Sequence, residues 1–278
     1  PDAGQTIPAA YRDAAASPLE SDVPQVFVLQ RPTPMLVLLS PAKTLDFESA
    51  CPPAASQPRW IDQAAVIAAI LKKQTPPRLK RLMGISDSLA ELNHQRFQDW
   101  CPDPTPDQSR AAIFAFRGDV YQTLRAETLT AKQLDYAQDH LRLISGLYGI
   151  LRPLDAILPY RLEMGTSMRD LAGKDLYALW SDPVTESVAD DLQATRSRCL
   201  LNLASNEYGK AVRFGELGVP VIAPVFRENK DGRYKTISYF AKRARGEMAR
   251  WVIREKVRTA AKLTRFSEDG YRYDGKEA

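Results

Sequence analysis

The first ordered pattern along the chain is an unbroken apolar run, Met35-Leu36-Val37-Leu38-Leu39, stopped by the polar loop Ser40-Pro41-Ala42-Lys43-Thr44-Leu45-Asp46. A short run apolar at every position fits a strand buried on both faces. From residue 60 to 72 the apolar spacing becomes helical, and Thr75-Pro76-Pro77 ends it. A second helix is predicted over 77–83, and a third starts at the cap Ser86-Asp87 and runs through Leu89, Leu92 and Phe97 to Trp100. Three prolines make 101–108 a loop. The apolar run 111–116 predicts a strand, and Arg117-Gly118-Asp119 turns into a helix over 120–126. Another helix is predicted over 130–140 and a longer one over 175–192. Strands are predicted over 199–203 and 219–226, the second pairing with 234–240 across Asn229-Lys230-Asp231-Gly232 as a hairpin. A basic helix follows, over 241–258.

This order predicts an α/β (α+β) fold: a single domain over 35–278 with a central mixed sheet flanked by helices. Residues 1–34 differ, with six prolines and more acidic than basic residues. They read as a disordered leader or an over-called translation start, having the composition of neither a signal nor a transit peptide.

Composition narrows the function classes. The chain has 278 residues and a net charge of +4, enough length for a substantial core and only a modest basic excess. Cys51, Cys101 and Cys199 are odd in number and widely spaced, which points to a reducing, cytoplasmic setting without a disulfide framework or zinc site. With His94 and His140 as the only histidines, no metal centre is expected, and no cofactor motif is present. No apolar run approaches the ~20 residues of a membrane-spanning helix.

Candidate chemistry gathers where apolar runs end. Ser40-Pro41-Ala42-Lys43 spells S-x-x-K, the nucleophile motif of penicillin-recognising acyl enzymes, but it lacks a K-T-G companion and follows a strand instead of opening a helix. Lys43 reads better as an anion-binding cation, with Ser40 and Thr44 as hydroxyl donors. In Tyr160-Arg161-Leu162-Glu163, the arginine and glutamate fall on one face of an extended segment, so Glu163 can orient Arg161 toward a phosphate or carboxylate. Asn202 and Ser205, with Glu207 close behind, form a third polar cluster after an apolar strand. Residues 239–265 hold nine lysines and arginines against Glu247 and Glu255. Helical spacing puts Arg243, Arg250 and Arg254 on one stripe, and Phe240, Ala244, Met248 and Trp251 or Val252 on the apolar face. Such a cationic face suits a nucleic-acid backbone. Ser145-Gly146-Leu147-Tyr148-Gly149 fits either the hairpin of a helix-hairpin-helix element, whose amides approach a phosphate, or a strand over 141–144 ending in a glycine turn.

Seven blocks occurring in one order carry a resemblance: LLSPAKTLDF from Leu38, ISDSLAELN from Ile85, AFRGDVY from Ala115, LRLISGLYGILRPLD from Leu141, PYRLEMG from Pro159, NLASNEY from Asn202 and YFAKRARGEMAR from Tyr239. Together they resemble the peroxide-stress protein YaaA family of bacteria, from Met35 onward. The first 34 residues are foreign to that family, and relatives continue past Tyr271-Arg272-Tyr273-Asp274, so clipping at the C-terminus is expected. The resemblance implies a cytoplasmic protein induced by hydrogen peroxide that limits oxidative damage by keeping free iron low. It also implies a cantaloupe-like α/β fold, a helix-hairpin-helix element on Ser145 to Gly149, and a basic cleft drawing on Lys43, Arg152, Arg161, Lys242, Arg243 and Arg245.

Two readings stay open. In one, the expected partner is double-stranded DNA, bound by a monomer without sequence preference through Ser145, Gly146, Gly149 and the cleft cations. In the other, an enzyme acts on a small anionic or nucleotide-like ligand, with Lys43 and Arg161 holding the anion and Glu163 or Glu207 as general base. Convergence of Lys43, Arg161, Glu163 and Glu207 favours the second, and a broad basic groove favours the first.

Overall fold

The structure, a computed structural model, describes residues 34–230 and 233–275, so the leader expected over 1–34 lies, Pro34 apart, outside the described residues. The apolar run forms β1 (Leu36–Leu39), buried at every position. The chain then passes β2 (Thr44–Leu45) into α1 (Ile61–Lys72), α2 (Pro76–Met83) and α3 (Asp87–Asp99). Local chemistry sets these bounds. Pro76 and Pro77 sit in the first turn of α2, where a missing N–H costs nothing, and Gly84 closes the helix at φ 60°. Ser86 Oγ accepts the Leu89 amide and starts α3.

Residues 110–117 depart from the predicted strand, forming β3 (Arg110–Ala111), a helical turn α4 (Ala112–Ala115) and β4 (Phe116–Arg117). All four α4 side chains are buried, and an apolar run this short reads the same in a buried turn as in a strand. Then come α5 (Asp119–Leu124), α6 (Ala131–His140) with a Thr130/Gln133 capping box, β5 (Leu141–Ser145), β6 (Gly149–Leu151) and β7 (Ala156–Ile157). The rest is α7 (Arg169–Ala172), α8 (Leu176–Ala194), β8 (Leu200–Asn202), α9 (Asn206–Gly209), β9 (Val221–Ile222), β10 (Glu228–Lys230), β11 (Arg233–Lys235), α10 (Ser238–Glu255) and α11 (Ala260–Leu263).

Five strands make the central mixed sheet, in the order β6-β5-β1-β8-β9. β1 runs parallel to β5 on one side and to β8 on the other, β9 is parallel to β8, and β6 is antiparallel to β5. Val221 and Ile222 therefore join the sheet instead of pairing with 234–240; flanking Pro220 and Pro224, which offer no N–H, keep β9 short. The hairpin is β10 with β11, where Asn229 faces Tyr234.

The segment 145–149 resolves its two readings. α6 runs straight into β5, so the unit is strand–turn–strand and not helix-hairpin-helix. Ser145, Gly146 and Gly149 are buried, and the Leu147 and Tyr148 amides donate to Ser145 Oγ at 3.2 and 3.0 Å. A Cβ on Gly146 would come within 2.3 Å of the Leu162 carbonyl oxygen, and one on Gly149, at φ +69°, within 2.5 Å of the Trp180 ring. These glycines serve close packing under α8, not approach to a surface phosphate.

Candidate anion-binding site

Because β5 lies on one side of β1 and β8 on the other, chain order reverses across β1, and such switch points open a crevice at the carboxyl ends of parallel strands. Polar side chains from two of these strand ends meet there. Ser40, just after β1, accepts the Ser205 amide at 2.8 Å and donates to Ser205 Oγ at 3.3 Å. The Ser40 carbonyl accepts the Tyr121 hydroxyl at 2.8 Å. With its oxygen committed to Ser205, Ser40 clasps the exits of β1 and β8 together. Lys43 points elsewhere, so the S-x-x-K spelling assembles no nucleophile–base pair.

Lys43 Nζ lies 2.5 Å from Glu163 Oε2, and Arg161 Nη2 donates to Glu163 Oε1 at 3.0 Å. Glu163 is thus gripped through both oxygens by two cations. Lys43 keeps 60% of its side chain exposed, and Arg161 keeps 17%, with its Nε buried and unpaired. Both retain donors that an anion can use. Glu207, from α9, accepts the Gly165 amide on Oε1 at 3.0 Å, while its own carbonyl accepts the Tyr177 hydroxyl at 3.0 Å. Gly165 is two residues past Glu163, so both carboxylates flank one short segment. The second Glu207 oxygen has no hydrogen bond among the described residues.

A tyrosine floor closes the site from below. Tyr160 and Tyr208 line a small pocket with Pro41, Ala42, Lys43, Arg161, Leu162 and Glu163. Burial pushes both hydroxyls far above the ordinary tyrosine range, and at Tyr208 the charges of Glu207 and Glu163 push the same way. Tyr160 meets Ser145 Oγ at 2.6 Å, which gives Ser145 a supporting role beneath the site. A dry floor strengthens the ionic contacts above it.

Other expected site residues fall outside this cluster. Thr44 is exposed in β2, opposite Arg117. Asn202 Oδ1 accepts the Ala204 amide at 3.0 Å and turns the chain after β8. Arg152, beyond the end of β6 away from its turn, is committed to Asp155 Oδ1 at 3.1 Å and the Gln57 carbonyl at 3.0 Å. On α10, Lys242 lies 3.9 Å from Asp119, Arg243 stacks over Tyr239 at 5.8 Å, and Arg245 is half-buried without a hydrogen bond or ion pair among the described residues. Lys242 approaches the same rim as the cluster, since a Cβ on Gly118, next to Asp119, would lie 3.3 Å from Ala42 Cβ. Arg250 leaves the predicted cationic stripe: it donates to the carbonyls of Leu124 and Arg125 at 3.1 and 3.0 Å and caps α5. Phe240, predicted on the apolar face, is 42% exposed.

Among the described residues, no group of His, Cys, Asp and Glu is placed to hold a metal ion, and no helix is long and apolar enough to cross a membrane.

Fold and site together define an α/β protein with an open mixed sheet and a charged cluster at the carboxyl edge of its parallel strands. The family model described as "Peroxide stress protein YaaA" matches residues 35–277, and the chain belongs to this family. Similar relatives include a UPF0246 protein of Burkholderia multivorans, 49% identical over 243 residues (86% of this chain and 94% of the relative). A UPF0246 protein of Janthinobacterium sp. (strain Marseille) is 49% identical over 241 residues, covering 86% of this chain and 93% of the relative.

Proposed function

We propose that this peroxide-stress family member is an enzyme acting on a small anionic, nucleotide-like substrate at the carboxyl edge of the sheet. The observation that carries this reading is the convergence of Lys43, Arg161, Glu163 and Glu207 on one cluster over a buried tyrosine floor. Lys43 and Arg161 hold the anion with the donors that Glu163 leaves free, and Glu163 fixes their positions. Since both Glu163 oxygens are taken, the general base is Glu207, whose second oxygen is open. The test is a turnover screen over nucleotides and phosphate monoesters with product analysis. For the substrate found, Glu207→Gln is expected to lower kcat by about a hundredfold or more while leaving binding in place. Full turnover in that variant, or a panel in which nothing binds, removes the reading.

A second reading rests on a separate surface. Exposed Arg233, Tyr234 and Lys235 of β11 and Tyr239, Phe240 and Lys242 of α10 combine cations with aromatic rings. This surface suits non-sequence-specific binding of duplex DNA, by which the protein would shield DNA and limit iron-driven damage in the cytoplasm under peroxide. Affinity for a duplex should fall steeply between about 50 mM and about 200 mM salt, and Lys242→Glu should lower that slope by about one. Salt-independent binding would sink it.

A further inference from the structure

α3 carries a cation that neither reading employs. Arg96 is half-buried, and its one hydrogen bond among the described residues runs 3.4 Å from Nη1 to Asn93 Oδ1. No carboxylate pairs with it among the described residues. The charge that reaches it is a like one: burial and the positive charge of Arg161 both push its pKa down. Among the described residues, Arg161 in turn has a buried Nε with no partner and a single ion-pair contact, to Glu163. Among the described residues, three cations, Lys43, Arg96 and Arg161, therefore have one carboxylate, Glu163, in contact with any of them. Two guanidinium groups partly stripped of water, each with donors left over, are stabilised by an oxyanion placed between them.

Arg96 also lines a cleft of about 560 Å³ together with Phe47, Leu92 and Pro159. Pro159 is two residues before Arg161, so this cleft adjoins the cluster at the sheet edge. Its volume is that of an ordinary small-molecule site. Three carboxylates, Asp46, Glu48 and Asp99, line it as well, against Arg96 and Arg117, and this acidic balance disfavours a second negative charge along the ligand and admits a neutral or cationic body.

We infer that Arg96 and Arg161 form a two-pronged clamp for the terminal phosphate of a monoester whose uncharged body lies in the cleft along Phe47, Leu92 and Pro159. Phosphate fits better than carboxylate, because three oxygens and two negative charges satisfy two guanidinium forks and the Lys43 ammonium, whereas a carboxylate serves one fork. The inference rests on the small-substrate reading of this site and gives it a ligand class and a direction.

Calorimetric titration of the full chain with inorganic phosphate, phenyl phosphate and benzoate tests it. Phenyl phosphate is expected to bind more tightly than inorganic phosphate, and benzoate more weakly than either. Arg96→Gln should weaken phenyl phosphate binding by about tenfold or more, the scale of one charge-assisted contact, with Arg96→Lys in between. A thermal melt of each variant separates lost binding from lost folding. If Lys43→Ala abolishes binding while Arg96→Gln matches the wild type, the clamp is wrong and the small-substrate reading stands. Wild-type protein that binds no phosphate, or benzoate binding as tightly as phenyl phosphate, overturns the clamp. Binding indifferent to both Lys43→Ala and Arg96→Gln overturns clamp and site together.

Discussion

At Glu163 both carboxylate oxygens are occupied, and at Glu207 one is open among the described residues; in the proposed enzyme that difference gives the first a positioning role and the second proton transfer. Next to the cluster, Asp46 secures the loop leaving β2. It accepts the Glu48 and Ser49 amides at 3.0 and 2.9 Å and the Ser49 hydroxyl at 2.7 Å, and pairs with Arg117 at 3.2 Å. The Ser49 hydrogen bonds, amide first, hold its pKa down at about 2, below the usual 3.8. A depressed carboxylate stabilises the fold above its unfolded pKa, and that contribution fades as pH falls through the folded value. Asp46→Asn should therefore lower the melting temperature near neutral pH, with the gap closing between about pH 4 and about pH 2. A gap constant across that range would show that the carboxylate charge is irrelevant there. Lys43, Arg161, Glu163 and Glu207 were legible in the sequence because each follows a strand or a strand-like segment. Arg96 was not: a lone arginine on a polar helix looks the same whether it meets solvent or lines a cleft.

Among elements, α5 and α10 meet most closely. A Cβ on Gly246 of α10 would lie 2.0 Å from the Val120 carbonyl oxygen and 2.2 Å from Thr123 Oγ1, and Thr123 Oγ1 donates to the Arg243 carbonyl at 2.7 Å. Gly246→Ala must push the helices apart, at a cost of about 1–3 kcal/mol measured by urea unfolding. Unchanged stability would mean that the two helices are not held this tightly. Helix starts were readable from side chains that cap them, as at Ser86 and Thr130, because a cap is a local event. Strands were harder. Whether 111–116 extends or coils, and whether 219–226 pairs forward or backward, depends on partners far along the chain, which a window of local pattern does not contain. The same holds for 145–149, where Trp180, donating to the Gly146 carbonyl at 2.9 Å, decides that the glycines face the core.

For the whole molecule, strand order is the decisive property. A sheet ordered β6-β5-β1-β8-β9 brings residues 40, 163 and 205 into one neighbourhood, although more than a hundred positions separate the first from the others. An apolar β1 implied a buried strand, but not which strands flank it. The cations of α10 form a different surface, joined to the cluster only near the rim of Asp119 and Ala42. The central claim is that the strand ends build one site for a small phosphate-bearing ligand. Titration of a nucleoside monophosphate into the wild type, Lys43→Ala and a Lys242→Ala/Arg243→Ala variant tests it most directly. The account predicts that Lys43→Ala loses about tenfold or more in affinity while the α10 variant binds like the wild type. Affinity lost in the α10 variant and kept in Lys43→Ala would contradict it.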